Sequence, residues 1–233
     1  MKQLLLFAFT LIVLNACHQM EGSGNIVTEN RSTGDFKGIS AGGAYEVELK
    51  NGPVTEVKVE ADDNIIGLIE TKVSGHTLNI TTKNGNNFNN GHYKVYITAP
   101  EINEINSSGA ASIIIKSTLK NNDKLTLEAS GAATISGEAD APSIHAEASG
   151  ASDIKLSGRT KNYEAEASGS ASIKTGDLMS ETTKVHASGA ATAHVYSSVQ
   201  LNADADGAAS IYYKGEGTTV VKTSGAANIK KDD

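Results

Sequence analysis

The sequence predicts an all-β fold: a single-stranded parallel β-helix-like solenoid of roughly 18–22-residue coils, with a less regular β N-terminal part acting as its cap. Three observations predict it. A five-residue motif recurs seven times at near-constant spacing, the residues around it alternate with period two, and no segment offers a capped amphipathic helix of useful length. A right-handed winding is expected, the hand itself not being set by the residues.

The motif runs Ser108-Gly109-Ala110-Ala111-Ser112 in its first clear copy and Ser224-Gly225-Ala226-Ala227-Asn228 in its last. Its glycines stand at Gly109, Gly131, Gly150, Gly169, Gly189, Gly207 and Gly225, separated by 22, 19, 19, 20, 18 and 18 residues. Four residues after each glycine come Ile113, Ile135, Ile154, Ile173, Ala193, Ile211 and Ile229. Four before come Ile105, Leu127, Ala146, Ala165, Val185, Ala203 and Val221, and two before come only small residues. Steps of two between apolar columns are the strand period. A second set of turn signals (Gly137, Gly158, Gly176, Ser197-Ser198, Gly215 with Gly217) suggests two strands and two turns per coil. Glycine suits a tight corner because it adopts positive φ and leaves room for the coil above. The serines before the glycines are expected to stack as a ladder able to hydrogen-bond. Gly43, with Val47 four residues on, matches the pattern loosely, so the solenoid is expected to begin before the clear repeats.

Ahead of the repeats, alternation marks strands over residues 44–49, 54–61, 77–81 and 93–98, with a first strand over 25–28. Residues 65–73 are ambiguous between helix and strand, with Gly67 and β-branched neighbours favouring strand. The asparagine-rich run 84–92 reads as a loop. At the far end Lys230-Lys231-Asp232-Asp233 follows Ile229, and such charge is expected to block edge-to-edge pairing.

The organisation follows. Residues 1–16 read as a signal peptide: Lys2 precedes an eleven-residue apolar run, Leu4 to Leu14, broken only by Thr10 and too short to span a bilayer as a helix. Leu14-Asn15-Ala16-Cys17 resembles the lipobox of bacterial lipoproteins, so Cys17 is the expected lipidated N-terminus, with 17–24 as lipidated cysteine and tether. Residues 25–233 form the solenoid domain, 25–105 irregular and 106–233 carrying the repeats. Cys17 is the single cysteine, which excludes an intramolecular disulfide. Acyl chains on Cys17 would bind the membrane.

Without Lys2, the mature chain has 19 basic and 27 acidic side chains, a net charge of −8. That balance argues against nucleic acid and against docking on anionic lipid. With no Trp, and only Phe36 and Phe88 left beyond the signal, the core must be thin and built from aliphatic and small side chains.

No residues point to catalysis, a cofactor or a resident metal. Gly38-Ile39-Ser40-Ala41-Gly42 has the spacing of a nucleophile elbow, but no helix is available to follow it. Three residues before the glycines stand Glu128, Glu147 and Glu166, then His186 and Asp204, an expected outward column about 5 Å from rung to rung. Neighbouring carboxylates serve hydrolases and cation sites, yet a solvated charged face accounts for them more simply, and whether the column binds a cation stays open. His76, His92, His145 and His194 show no ligand spacing, so surface imidazoles are expected. The two arginines, Arg31 and Arg159, lie far apart in sequence, which does not suit a polysaccharide lyase. Tyr93, Tyr96, Tyr212 and Tyr213 are weak candidates for sugar stacking.

The lipobox, the opening Gly22-Ser23-Gly24-Asn25 with Phe36-x-x-Ile39, and the Ser-Gly-Ala ladder together resemble the putative auto-transporter adhesin family, or head GIN domain, common as lipoproteins in Bacteroidetes-type bacteria. The resemblance covers essentially the whole mature chain. It implies a solenoid similar to the pectin-lyase type, without identified catalytic residues and with a role in adhesion or surface interaction. The expected function is therefore a non-enzymatic cell-envelope lipoprotein acting as adhesin or interaction module. Two alternatives stand beside it: a carbohydrate-binding protein or inactive polysaccharide-lyase-like remnant, and a periplasmic structural or regulatory lipoprotein. Expected partners are a membrane through the lipid on Cys17 and a protein or glycan ligand, with no nucleic acid and with homo-oligomerisation open. The expected location is the outer membrane, its periplasmic or outer face undecided.

Overall fold

A computed structural model describes residues 19–83, 87–89 and 91–232. Cys17 and residues 1–16, on which the signal and lipid-anchor readings rest, lie outside the described residues. The described chain holds strands and the three-residue 3-10 turn Ile66–Leu68, with no α-helix among the described residues.

The predicted coils are present and in the predicted register. Ile113 pairs with Ile135, Ile135 with Ile154, Ile154 with Ile173, Ile173 with Ala193, Ala193 with Ile211 and Ile211 with Ile229, all in parallel. From Ile113 to Ile211 this column is 0% exposed. The opposing column, Ile105 through Ala203, is buried as well. Residues equally far from a corner glycine face one another across the core: Tyr163 and Thr175, each six residues from Gly169, lie side by side there. With Phe36, Tyr45 and Tyr163 the only buried aromatics among the described residues, the core is the thin aliphatic one the composition implies.

Each corner glycine has positive φ, between 71° and 75° from Gly109 to Gly207 and Gly225. The corners stack on one another. A β-carbon on Gly131 would come within 2.9 Å of the Gly109 carbonyl oxygen, and that oxygen accepts the Ala132 amide at 2.7 Å. Glycine is therefore required twice, for its dihedral angles and for the rung-to-rung hydrogen bond. The serines before the glycines make no hydrogen bonds to one another among the described residues. Hydroxyls two or three positions later do bond: Ser152 Oγ donates to Ala129 O at 2.9 Å, and Thr134 Oγ1 to Ser112 Oγ at 2.9 Å.

Gly43 is the first corner. Strand Gly38–Gly43 pairs in parallel with Glu104–Gly109, and Glu46–Asn51 with Ser112–Ile115. Between these rungs in sequence, residues 52–103 leave the solenoid and build its cap. Thr77–Thr82 and Tyr93–Ala99 pair in parallel beneath the Gly43 coil. Glu56–Asp62 then lies antiparallel to Tyr93–Ala99, Ile26–Arg31 antiparallel to Glu56–Asp62, and Ile69–Ser74 antiparallel to Thr77–Thr82. The last hairpin turns through Gly75 and His76, both at positive φ (60° and 67°), which suits the twist of an antiparallel pair. Antiparallel strands end the parallel stack on this side.

Three local expectations are corrected. The middle coils carry a third short strand instead of a plain turn: Leu119–Lys120 pairs with Ala139 and Asp140, and residues 158–160 with 178–180. Strands Thr134–Ala148, Asp153–Ala167 and Ser172–Ala187 thus bend around a corner without interruption. Residues 65–73 divide into the 3-10 turn and strand Ile69–Ser74. Within the run read as a loop, Asn87–Asn89 is a short strand paired with Gln19–Glu21, and Phe88 packs on Tyr93 with ring centroids 5.7 Å apart.

The C-terminal end finishes in parallel edge strands, where the capped end finishes in antiparallel ones. Strand Thr218–Thr223 pairs with Gln200–Ala205 on one side and with no described strand on the other. All six of its residues are exposed, Val220 and Val221 each at 50%. Lys230 and Lys231 lie within the last strand, Asn228–Lys231, paired with Tyr212 and Tyr213. Their charge therefore guards one arm of the final coil and leaves the other open.

Candidate interaction surface

The strand that approaches each corner glycine points alternate side chains outward, and parallel register stacks them into columns. One column runs Asn106, Glu128, Glu147, Glu166, His186, Asp204, Lys222; the neighbouring one runs His145, Glu164, Lys184, Asn202, Val220 over its last rungs. The predicted acidic column is thus assembled as expected, with Glu128, Glu147 and Glu166 on consecutive rungs and solvent-facing.

Next to it the charges pair. Lys184 Nζ donates to Glu164 Oε1 at 2.7 Å, and His145 Nδ1 lies 3.5 Å from Glu164 Oε2. The Lys184 ammonium holds the Glu164 carboxyl below the usual carboxylate range, and Glu164 in turn raises Lys184. Glu164, Glu166, Lys184, His186, Asn202, Asp204, Val220 and Lys222 line an open groove of about 430 Å³ on this face.

At one edge of the groove, one imidazole and two carboxylates converge: His186, Asp204 and Asp206 have ligand atoms within 4.8 Å of one another. This donor set is of a kind that divalent ions take. Asp206 also has neighbours of its own. Asp206 Oδ1 accepts the Ser224 hydroxyl, and Asp206 Oδ2 lies 4.0 Å from His186 Nε2. Asp206 went unmarked in the sequence reading, although it alone replaces the serine that opens the six other motifs.

The cap carries a second groove, lined among others by Arg31, Glu48, Lys58 and Tyr96. Lys58 Nζ sits 4.5 Å from the Tyr96 ring centroid and Lys94 Nζ 5.3 Å from it. Lys94 is fixed by Glu46 and Glu48, each at 2.8 Å, and its pKa is raised by those hydrogen bonds. Here the tyrosine, the lysines and the carboxylates lie together, which their sequence spacing did not announce. Tyr212 is instead stacked on His194, centroids 4.7 Å apart, and Tyr93 meets Tyr45 edge-on inside the cap.

Ser40 lies within strand Gly38–Gly43, flanked in parallel by Asn106 and Asn79, with no helix after it. The geometry of a nucleophile elbow is not formed. His92 Nε2 is 2.8 Å from Glu60 and His194 Nδ1 is 3.5 Å from Asp232, so both are surface imidazoles beside carboxylates. The seven corner glycines lie at the stacked turns with positive φ.

The segment before the first cap strand is held by a carboxylate clamp that sequence reasoning missed. Asp62, buried, accepts the His92 amide at 2.7 Å on Oδ2 and the Gly24 amide at 2.7 Å on Oδ1. Asp63 accepts the Ser23 hydroxyl at 2.6 Å and the Asn25 side-chain amide at 2.9 Å. A β-carbon on Gly22 would come within 2.5 Å of Asp62 Oδ2. Residues 22–24, read as part of the tether, are thus docked on the cap together with Asn25.

Comparison with solved structures places the fold. The chain is similar to a putative adhesin from Bacteroides fragilis, with 23% identity, 91% of this chain and 100% of that one covered, and a TM-score of 0.84. It is similar to a putative lipid binding protein from Parabacteroides distasonis, with 21% identity, 92% and 100% covered, and a TM-score of 0.75. A putative adhesin from Parabacteroides merdae matches with 18% identity, 92% and 99% covered, and a TM-score of 0.72. Comparison with curated proteins finds no match. Residues 35–217 match a family model described as putative auto-transporter adhesin, head GIN domain.

Proposed function

The chain belongs to the putative auto-transporter adhesin family, head GIN domain, and from that premise we propose that it is a non-catalytic adhesion or interaction module of the cell envelope. In this reading acyl chains on Cys17 hold it to the outer membrane, and the outer face of the coils meets a protein or glycan ligand. The observation that carries the reading is the in-register column Glu128, Glu147, Glu166, His186, Asp204. Side chains repeated about every 4.8 Å suit an extended ligand contacted rung after rung. A catalytic centre needs unlike groups converging once.

Replacing Glu128, Glu147 and Glu166 together by Lys tests the reading. Binding of whole cells, or of the purified chain, to protein and glycan arrays is expected to change while the β-sheet circular dichroism stays the same. Unaltered binding would count against this face. Cys17→Ala is expected to move the protein from the membrane fraction to the soluble fraction. Protease shaving of intact cells separates an outward-facing adhesin, which is cut, from a periplasmic structural protein, which survives.

The carbohydrate-binding alternative is favoured by one feature, the half-buried Tyr96 with Lys58 over its ring in the cap groove. It predicts selection of acidic glycans, and loss of that selection in Tyr96→Ala.

A further inference from the structure

The two ends of the solenoid are built differently. At the N-terminal end the outermost strands, Ile26–Arg31 and Ile69–Ser74, are antiparallel edges that each carry an acidic and a basic residue, whereas the outermost strand at the other end is the parallel edge Thr218–Thr223. Natural sheets protect edges with proline, bulges, inward charge or a covering segment. Thr218-Thr219-Val220-Val221-Lys222-Thr223 has no proline, no positive-φ residue and one charge, and no described segment covers it. Its high β propensity leaves a row of free main-chain donors and acceptors beside two half-exposed valines.

The geometry points to a second copy of this chain as the occupant, docked end to end about a two-fold axis through Val221 and Ile229. Two identical strands pair antiparallel across a two-fold, and opposed residues must share a face. Residues 219, 221 and 223 stand on the inward register of the coil below, opposite Leu201, Ala203 and Ala205, and 220 and 222 on the outward register. The symmetric register centred on Val221 therefore sets Val221 against its copy, Thr219 against Thr223, and Val220 against Lys222. Val221 and Ile229 each lie four residues from Gly225, on the two arms of one corner. An axis crossing the first strand at Val221 thus crosses the second at Ile229, which is only partly covered in the single chain. Both arms then pair at once, and the apolar ends of both inward columns are covered.

Charge agrees with this register. Lys222 faces Val220 and Lys230 faces Asn228, so no like charges are directly opposed. Lys231 is paired within its own copy with Glu216 at 2.9 Å. The contact is the end of one coil, two short strands from each copy, which puts it at the small end of specific interfaces and suits a reversible dimer.

The pairing also orients the molecule. Gln19–Glu21, two residues after Cys17, lies at the capped end. Joining the open ends sends the two lipid anchors in opposite directions, as suits contact between two facing membranes. This last step rests on the adhesin reading and its anchor; the dimer itself does not.

The test is sedimentation velocity of the full chain in density-matched detergent over a dilution series, with two charge variants at Val220. The wild type is expected to pass reversibly from monomer to dimer. Val220→Lys sets lysine against Lys222 at two symmetric places and is expected to weaken the dimer roughly threefold to tenfold at low salt, while Val220→Glu tightens it by a similar factor. Both side chains point outward from the last coil, so the melting temperature of the monomer should not move. A monomer throughout, an open-ended polymer, or a dimer indifferent to both variants overturns the proposal. For the facing-membrane arrangement, vesicles carrying the full chain are expected to aggregate, less so with Val220→Lys. A solution dimer without vesicle aggregation would overturn that arrangement alone.

Discussion

Gly109 sits directly on Gly43: a β-carbon on Gly109 would lie 2.9 Å from the Gly43 carbonyl oxygen, the same atom that accepts the Ala110 amide at 2.6 Å. The relation repeats upward to Gly225, so each corner needs both left-handed dihedral angles and bare space.

Gly150→Ala should accordingly lower stability by at least about 2 kcal/mol, combining the left-handed penalty with displacement of the Gly131 carbonyl. Gly176→Ala is the control. Its φ is not positive and a β-carbon there would meet nothing within 4 Å, so its change should stay within about 0.5 kcal/mol. Urea unfolding of the two variants compares them directly, and equal losses would refute the stacked-corner account.

Much of this was legible because a solenoid writes its register into the sequence. Ile154 and its column could be found by counting four from each glycine, and Ile39 and Val47 around Gly43 obey the same count. The cap was less legible: residues 52–103 alternate with the same period two whether their strands run parallel or antiparallel. The third face was hidden by its glycines. Gly158 looks like a turn residue, yet it lies inside a strand, where a β-carbon would come within 2.0 Å of Ala139 O. At the candidate surface, the Glu128–Glu147–Glu166 column followed from spacing, and Asp206 was visible only as a departure from serine. The Asp62 clamp was not legible, since it joins residues 38 apart in sequence through a main-chain amide.

Ile154→Asp should abolish cooperative folding of the coils around it. The side chain is 0% exposed between Ile135 and Ile173, and a buried unpaired carboxylate costs about 4 kcal/mol or more. Met179→Asp, at a position 51% exposed, should leave the melting temperature nearly unchanged. A variant at 154 that keeps its melting transition would sink the register.

Tyr163 predicts the opposite sign for a core substitution. Its hydroxyl is buried beside Thr175 without a well-formed hydrogen bond, and burial raises its pKa. The Thr175 hydroxyl is committed to His194 O at 2.9 Å. Tyr163→Phe should therefore be neutral or stabilising, because it removes an unsatisfied polar atom. Thr175→Val removes the donor to the part-buried His194 carbonyl and should cost about 1 kcal/mol. Thermal melts of the two variants decide it, and a large loss in Tyr163→Phe would mean that the hydroxyl is bonded after all.

The clamp on residues 22–25 should open in acid. The amides of His92 and Gly24 hydrogen-bond the Asp62 carboxylate and hold its pKa below the ordinary 3.8. A carboxyl whose folded pKa is depressed stabilises the docked state above its ordinary value, and the contribution fades as pH falls through the lowered one. Asp63 acts in the same direction, lowered by Ser23 and then Asn25. Hydrogen exchange at the Gly24 and His92 amides should therefore be slow near neutrality, after correction for the intrinsic rate, and should lose protection below pH 3.8. Asp62→Asn keeps one acceptor oxygen for two amides and turns an NH₂ donor toward the other. Protection of at least one amide should then be lost at every pH, together with the acid-dependent step. If Asp62→Asn keeps both amides protected, the carboxylate does not hold this segment, and residues 22–25 dock through Ser23, Asn25 and the Asp63–Asn64 turn alone.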